Sequence, residues 1–416
     1  MLDMTSFDAA LKEYYTDEHV EDMVYEDNPL LGLMPKDESM YGAYKVIPIK
    51  YGDPQGRSAT FSRAQARGAL SNSFLGQFAV TRVKDYSIAT IDNETMLASQ
   101  NDRGAFMEAA TLEIDGAIHV LTRSLAVDMY RSGYGARGTI ATSSFGVTTL
   151  TLNQITDIVN FEVGMELVVS ASESGHVLKA LGSSGNGLIV TGVNRMLGTL
   201  TFAFNVNDSI NGIPTIAQND VLFVRGDRQD SATPARTKLA GLEAWTPYTA
   251  PTSTAFFGQD RTVDITRLAG LRYDGSSGPI EESLIEAATL VAREGGKIDH
   301  YFLAYDKYSA LEKALGSKVQ YVDLMANARV GFRGIVINGP RGPINVVPDQ
   351  NCPTNRAFGL TMSTWKLGSI GKAVRVIDTD KLDMLRLNNA DGVEVRYGFY
   401  GNVYNNAPGK NITVLL

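Results

Sequence analysis

A narrow apolar stripe between Phe106 and Met129 constrains this chain more than any other feature. Phe106, Ala110, Ile114, Ala117, Ile118, Leu121, Leu125 and Met129 recur at i, i+3, i+4 spacing, which is one face of an α-helix. With Asp102 able to cap its start and Gly133 its end, the pattern predicts a helix over residues 105–131. At 1.5 Å rise per residue it would be about 40 Å long, enough to span a domain. One face is to be buried, while Glu108, Glu113, Asp115, Arg123 and Asp128 stay wet or pair across an interface.

Ahead of this rod the chain reads as a two-stranded ribbon. Residues 44–51 are extended, and Pro48 confines them to an edge or a ribbon because it has no N–H to donate. Residues 77–91 read as the returning strand. The polar stretch between them, with Asp53-Pro54, Gly56, Arg57, Arg63 and Arg67, is too long for a tight hairpin. An isolated two-stranded ribbon is marginal in water, so this one must rest on something, and a neighbouring subunit is the obvious candidate.

After the rod the character changes. Residues 139–226 hold only nine charged side chains, and short β-rich runs (Val147–Leu152, Met165–Ser170, Leu188–Val193, Thr199–Phe204, Val221–Val224) alternate with Gly, Asn and Ser turns. That spacing predicts a small all-β sandwich or barrel, inserted between two mixed segments. From residue 233 onward the pattern is α+β. Gly278-Pro279 opens a helix with Leu284, Ala288 and Val291 as its stripe and Gly295-Gly296 at its end. A short buried strand at Tyr301–Ala304, a helix capped by Asp306, and a hairpin turning at Gly339-Pro340-Arg341-Gly342 follow. Near the C-terminus Val393, Val395, Tyr397 and Phe399 alternate with Glu394 and Arg396, as in a half-buried strand.

Charge is segregated. The first 28 residues contain nine acids and one base, which is the whole net charge of −8, and the remainder balances at 37 bases to 37 acids. Phe7, Leu11 and Tyr14–Tyr15, with Ser6 as a cap, read there as short helical pieces, either a solvated face or an electrostatic docking arm. Residues 41–82 swing the other way, with Lys45, Lys50, Arg57, Arg63, Arg67 and Arg82 against Asp53 alone. A pI near 5.2 argues against a dedicated nucleic-acid binder. A single cysteine, Cys352, rules out intrachain disulfides and Cys-based zinc sites. The acidic start has no apolar run of the signal-peptide kind, and no stretch reaches the ~18 apolar residues of a membrane span, so a cytosolic protein with no membrane partner is expected.

Catalytic and cofactor motifs fail on context. Gly133-x-Gly135-x-x-Gly138 spells a dinucleotide fingerprint, but a helix precedes it where a strand is required, so it reads as a flexible link. No P-loop or nucleophile elbow is present, and His19, His119, His176 and His300 lie far apart in sequence. Arg225-Gly226-Asp227 reads as a tight turn. No catalytic, cofactor-binding or metal residue is assigned, and the chain is not expected to be an enzyme.

The order of parts carries more than any motif. Leu30-Leu31-Gly32-Leu33-Met34-Pro35 looks like an arm-to-loop junction, and Tyr51-Gly52-Asp53-Pro54-Gln55-Gly56-Arg57 like an extended-loop tip. Glu108-Ala109-Ala110 through Ser124-Leu125-Ala126 looks like a spine helix, and Phe302-Leu303-Ala304 through Leu311-Glu312-Lys313-Ala314-Leu315 like a strand–helix unit before a hairpin. In this order the chain resembles the major capsid proteins of tailed bacteriophages, with the Hong Kong 97-type fold that encapsulin shells share, over residues 5–131 and 235–416.

The resemblance implies an α+β, Hong Kong 97-like capsid fold. Its parts would be an N-terminal arm (1–40), an extended β-loop (41–92), a spine helix (93–134), an inserted β-rich domain (135–232), peripheral segments (233–297 and 373–416) and an axial domain (298–372). It implies a virion protein, assembled in the host cytoplasm, that forms pentamers and hexamers in an icosahedral shell around double-stranded DNA held non-specifically. A separate scaffolding protein (the chain begins at Met1 without a long charged helical extension), a portal and a decoration protein are the expected partners. The inter-subunit contacts expected from charge are Arg57, Arg63 and Arg67 on the loop against Asp17, Glu18, Glu21 and Asp22 of an arm, or against a long helix. The alternatives are an encapsulin-like compartment shell and a cytosolic enzyme or carbohydrate-binding protein with the β module as its recognition domain.

Overall fold

The computed structural model describes residues 28–92, 103–252, 254–315, 321–324, 332–377, 385–387 and 391–416. The arm readings at Ser6, Phe7, Leu11 and Tyr14–Tyr15 lie outside these residues.

The rod is a single helix, Arg103–Asp128. Ile114, Ala117, Ile118, Leu121, Leu125 and Met129 are buried as the stripe requires, while Glu113 and His119 are exposed. The last turn departs from expectation. Thr122, Ala126, Val127 and Asp128 are buried as well, Asp128 with 1% exposure, because the β-rich module closes over the helix end. Arg123 pairs with Glu162 of that module, and Arg131 lies 2.7 Å from Asp157. Asp128 is therefore not a wet residue. It faces Arg137 at 3.5 Å within a buried cluster: Arg137 lies 3.4 Å from Asp227, and Lys238 lies 2.9 Å from Asp85 and 3.0 Å from Asp227. Ser124 Oγ donates to Asp85 at 2.7 Å and accepts from Arg137 at 2.9 Å.

Two sheets form the body. In the first, the long strand Gly392–Asn405 pairs antiparallel with Val83–Asp92 along one side (Gly392↔Asp92 to Gly401↔Val83). Its other side takes Trp365–Ser369, Arg375–Val376 and Leu385–Arg386. Lys36–Asp37 adds to Trp365–Ser369 in parallel. The strict alternation at 393–399 suggested a half-buried strand, but this strand is central and buried on both faces for most of its length, with Glu394 at 8%, Asn402 and Asn405 at 0% and Arg396 exposed.

The second sheet has seven strands, in the order Leu271–Asp274, Ile412–Leu415, Arg356–Leu360, His300–Leu303, Gly342–Pro348, Phe332–Gly339, Tyr321–Leu324. Its two faces feed different cores. Phe302, Val347, Phe358 and Leu360 join the core of the long helix and first sheet, while Tyr301, Leu303, Val346, Ala357, Ile412 and Val414 join the helix Ile280–Arg293. A mixed sheet covered on both faces reads as short, nearly continuous apolar runs, as Tyr301–Leu303 does. In the covering helix Leu284, Ala287, Ala288 and Val291 are buried; Pro279 sits just outside as the N-cap, and Glu281 and Glu282 occupy the first turn, where the helix dipole favours acids. The hairpin turn closes at Gly339↔Gly342.

The β-rich module is a closed barrel. Its six strands run in the order Ala136–Thr139, Val221–Val224, Glu166–Ser170, Leu188–Asn194, Thr199–Phe202, Thr149–Thr151. The two edges are joined by the bridge Ile140↔Leu152, with Ala141 N donating to Thr151 O at 2.8 Å. It encloses its own apolar core, including Leu150, Phe161, Leu167, Val190, Leu200 and Leu222. Gly133 and Gly135 enter it at φ of 90° and 81°, where a Cβ would stand 3.1 Å from Leu239 O and 3.0 Å from Asp227 O respectively. The expected flexible link is thus a tightly apposed neck that only glycine fits. Arg225-Gly226-Asp227 is the turn at its exit, with Gly226 at φ 95° and Asp227 N donating to Val224 O at 3.0 Å.

Candidate assembly interface

The ribbon forms between Tyr44–Gly52 and Phe74–Thr81, in register from Tyr44↔Thr81 through Pro48↔Gln77 to Lys50↔Leu75, with a shift before Gly52↔Phe74. The chain read as one returning strand makes two. Phe74–Thr81 serves the ribbon and Val83–Asp92 the body sheet, with Arg82 between them donating from Nη1 to Met40 O at 2.9 Å. One ribbon face rests on the same chain. Ile47, Ile49, Phe78 and Val80 are buried, and Phe78 meets Trp245 and Phe256 edge-on at 5.0 and 6.1 Å between ring centroids. Ala79 N donates to Phe257 O at 2.8 Å, and Arg267 Nη1 to Tyr51 O at 2.6 Å. The expectation that the ribbon needs a neighbour for its root is corrected, because this aromatic bed supports it.

The tip is different. Residues Phe61–Leu70 form a helix in the polar stretch read as too long for a tight hairpin, and not one of its residues is buried. It has no side-chain N-cap bond. Phe61 is 83% and Leu70 88% exposed, and Phe74 and Leu75 beside it are also open to solvent. A ten-residue helix with no packed face is marginal in water, since most helical stability in proteins comes from packing. Arg57, Arg63 and Arg67 are all exposed here, and among the described residues none has an ion-pair partner. The other bases of the loop are engaged: Lys45 pairs with Asp37 and Lys50 with Asp53. The structure thus places Arg63 and Arg67 on an unsupported helix and Arg57 in the loop that leads into it. Asp17, Glu18, Glu21 and Asp22 lie outside the described residues.

The first described residues are pinned to the body. The short helix Pro29–Leu33 buries Leu30 and Leu31, and Met34 follows at 2% exposure. Asp349 accepts from Tyr130 Oη at 2.8 Å and Asn351 N at 2.9 Å, and Asn351 Nδ2 donates to Asn28 Oδ1 at 3.1 Å. Burial raises the Asp349 carboxyl above its ordinary range despite these bonds. Farther on, burial would also raise Asp37, but bonds from Lys45, Ser39 and Tyr404 outweigh it and hold the carboxyl well below that range. This Asp37–Lys45–Tyr404 knot ties the arm's end, the ribbon's root and the body sheet together, and no local spacing in the sequence announces it because its members lie so far apart along the chain.

A cavity of about 180 Å³ on the barrel is lined by Leu188, Ile189, Phe202 and Phe204. Among the described residues no group of His, Cys, Asp and Glu could hold a metal ion, and no helix is long and apolar enough to cross a membrane.

Residues 219–406 match the family model of the SU10 major capsid protein. No curated protein matches the chain. Among solved structures the chain is similar to one from the capsid asymmetric unit of cyanophage A-1(L), at 13% identity and a TM-score of 0.49, covering 94% of this chain and 93% of that one. A chain from Mycobacterium phage Bobi gives 8% identity and 0.42, with 94% and 91% covered. The SrpI encapsulin of Synechococcus elongatus gives 8% and 0.43, with 93% and 86% covered. The family match takes in the central strand of the first sheet and every strand of the second except Ile412–Leu415, so this part of the chain is similar to the SU10 major capsid protein.

Proposed function

We propose that this chain is the shell-forming subunit of a virion, and that its exposed ribbon tip is the part that reaches a neighbouring copy. The observation that carries the reading is the family match over 219–406, the stretch from which most of both body sheets is built. A helix with no buried residue at the end of a firmly rooted ribbon supports it. Many modest contacts of this kind gain strength by avidity once a lattice closes.

In finer terms we read the parts as those of the Hong Kong 97-type fold. The ribbon with its tip helix is the extended loop, Arg103–Asp128 the spine, the seven-stranded sheet the axial side, and the long C-terminal strand with Val83–Asp92 the peripheral side. The barrel is the insertion. In this reading Arg57, Arg63 and Arg67 meet acids of an adjacent subunit, on its arm or its long helix, in an icosahedral shell of pentamers and hexamers around double-stranded DNA. A scaffolding protein, a portal and a decoration protein complete the assembly. Electron microscopy of the purified protein tests the reading: closed shells or capsomer rings are expected, and a monodisperse small particle under all assembly conditions would overturn it.

A further inference from the structure

Three arginines lie together beside the ribbon's root, and among the described residues none of them is within ion-pair distance of a carboxylate. Arg261 is 6% exposed; its Nη1 donates only to the carbonyls of Ala244 at 2.8 Å and Trp245 at 3.3 Å, and its Nε is buried without a hydrogen-bond partner. Its guanidinium carbon stands 4.1 Å from the centre of the Phe256 ring. Arg236 stands 4.8 Å from the same ring and 4.8 Å from that of Tyr134. Arg272 is half-buried and donates to the carbonyls of Pro247, Gly270 and Ala269. Among the described residues none of the three pairs with a carboxylate, whereas the comparably buried Arg131, Arg137 and Lys238 each do. Burial, then repulsion from Arg236 and Arg272, pushes Arg261 down to about 9. Ring faces and carbonyls soften buried cations, but a buried charge is costly until an opposite charge meets it.

The carboxylate nearest the cluster is Glu173, which is bonded by Ser132 and acts on Arg236 from beyond ion-pair distance, and no described carboxylate pairs with Arg261 or Arg272. The rest of the chain holds its surplus in one place, with nine acids against one base in residues 1–28. Twenty-seven residues precede the pinned Asn28, and at roughly 3.3 Å per extended residue they can reach well beyond one subunit. We propose that the Arg236–Arg261–Arg272 cluster is the docking site for the acidic arm, residues 1–27, of a neighbouring copy. The inference rests on the shell reading and assigns the arm a receptor other than the ribbon tip. The half-buried Arg272 and Arg236 offer the open side of the cluster, and Arg261 supplies charge from beneath.

The test uses the full-length chain. One variant neutralises the outer cluster (Arg236→Gln with Arg272→Gln), one the arm (Asp17→Asn, Glu18→Gln, Glu21→Gln and Asp22→Asn), and one carries both sets. The fraction assembled is read against NaCl concentration by sedimentation. Each single set is expected to lower the salt midpoint several-fold, and the combination no further than the larger of the two, as for partners in one interaction. Additive losses would overturn the contact. Unassembled subunits of the arm variant are expected to melt as wild type does, and a lowered Tm would place the arm on its own body and overturn the proposal. Arg236→Lys with Arg272→Lys, which keeps the charge, is expected to assemble; failure equal to that of the glutamine pair would make the defect one of packing and overturn it too. Wild-type shells are the control for the shell reading: their absence sinks that reading, and shells with additive losses sink this contact alone.

Discussion

Both carboxylate oxygens of Asp128 are buried without a hydrogen-bond donor, and the cluster around them sets three acids, Asp85, Asp128 and Asp227, against two bases, Arg137 and Lys238. Burial dominates, the two cations pull the other way, and the two neighbouring acids add to the rise; the result is a carboxyl raised from its ordinary 3.8 to about 6. A carboxyl that holds its proton more tightly when folded stabilises the fold below its unfolded value and loses that contribution as pH rises through its folded value. The shift corresponds to about 3 kcal/mol lost between pH 4 and 7 at roughly 1.4 kcal/mol per unit. Asp128→Asn removes the titration. Urea unfolding of variant and wild type across that range is expected to show wild type falling relative to the variant by this order as pH rises; a constant difference would refute the assignment. None of this was legible from residue 128 itself. It lies on the apolar stripe itself, seven residues after Leu121 and three after Leu125, but its charge read as solvated until distant segments cover the helix end.

Among the elements, the tip helix carries the sharpest expectation. Replacing Arg57, Arg63 and Arg67 together with Glu touches no buried residue, so the free subunit's Tm is expected to hold while assembly at physiological salt falls several-fold or fails. Each exposed pair contributes only about 0–1 kcal/mol, so the effect depends on repetition across the lattice. Normal assembly of the triple variant would show that these charges do not steer it. The long helix was readable because its stripe is local and faces a core in its own chain. Phe61–Leu70 was not, because a helix without a packed face in its own subunit shows no stripe: its large apolar residues, Phe61 and Leu70, sit at its two ends. Its helix-forming run of Arg, Ala and Gln was the only available signal. The split of the returning strand at Arg82 was hidden for a related reason, since both halves are β-prone and only their distant partners, Tyr44–Gly52 and Gly392–Asn405, separate them.

At the scale of the molecule, the barrel is a guest on a continuous body. Its drop in charge and evenly spaced short strands are local, and so it could be recognised as an all-β insertion before any pairing was known. The body sheets could not be ordered that way, because Lys36–Asp37 pairs with Leu367–Gly368 and Leu271–Asp274 with Ile412–Leu415, partners far apart along the chain. The barrel's two ends meet at the neck, where Gly135 approaches Asp227. Replacing residues 137–226 with a short glycine linker, together with Asp128→Asn to spare an unpaired carboxylate, is therefore expected to leave a body that unfolds cooperatively at a lowered Tm. Loss of cooperative unfolding would mean that the barrel is part of the body's core.

The bare helix at the ribbon tip also gives assembly a clock. Trypsin cuts after arginine, and in the free subunit Arg57, Arg63 and Arg67 stand open on the least supported backbone of the ribbon. Under the proposed contact a sibling covers them and those bonds close to the enzyme, so the rate at which this one scissile stretch falls silent is expected to report how fast subunits are being enclosed.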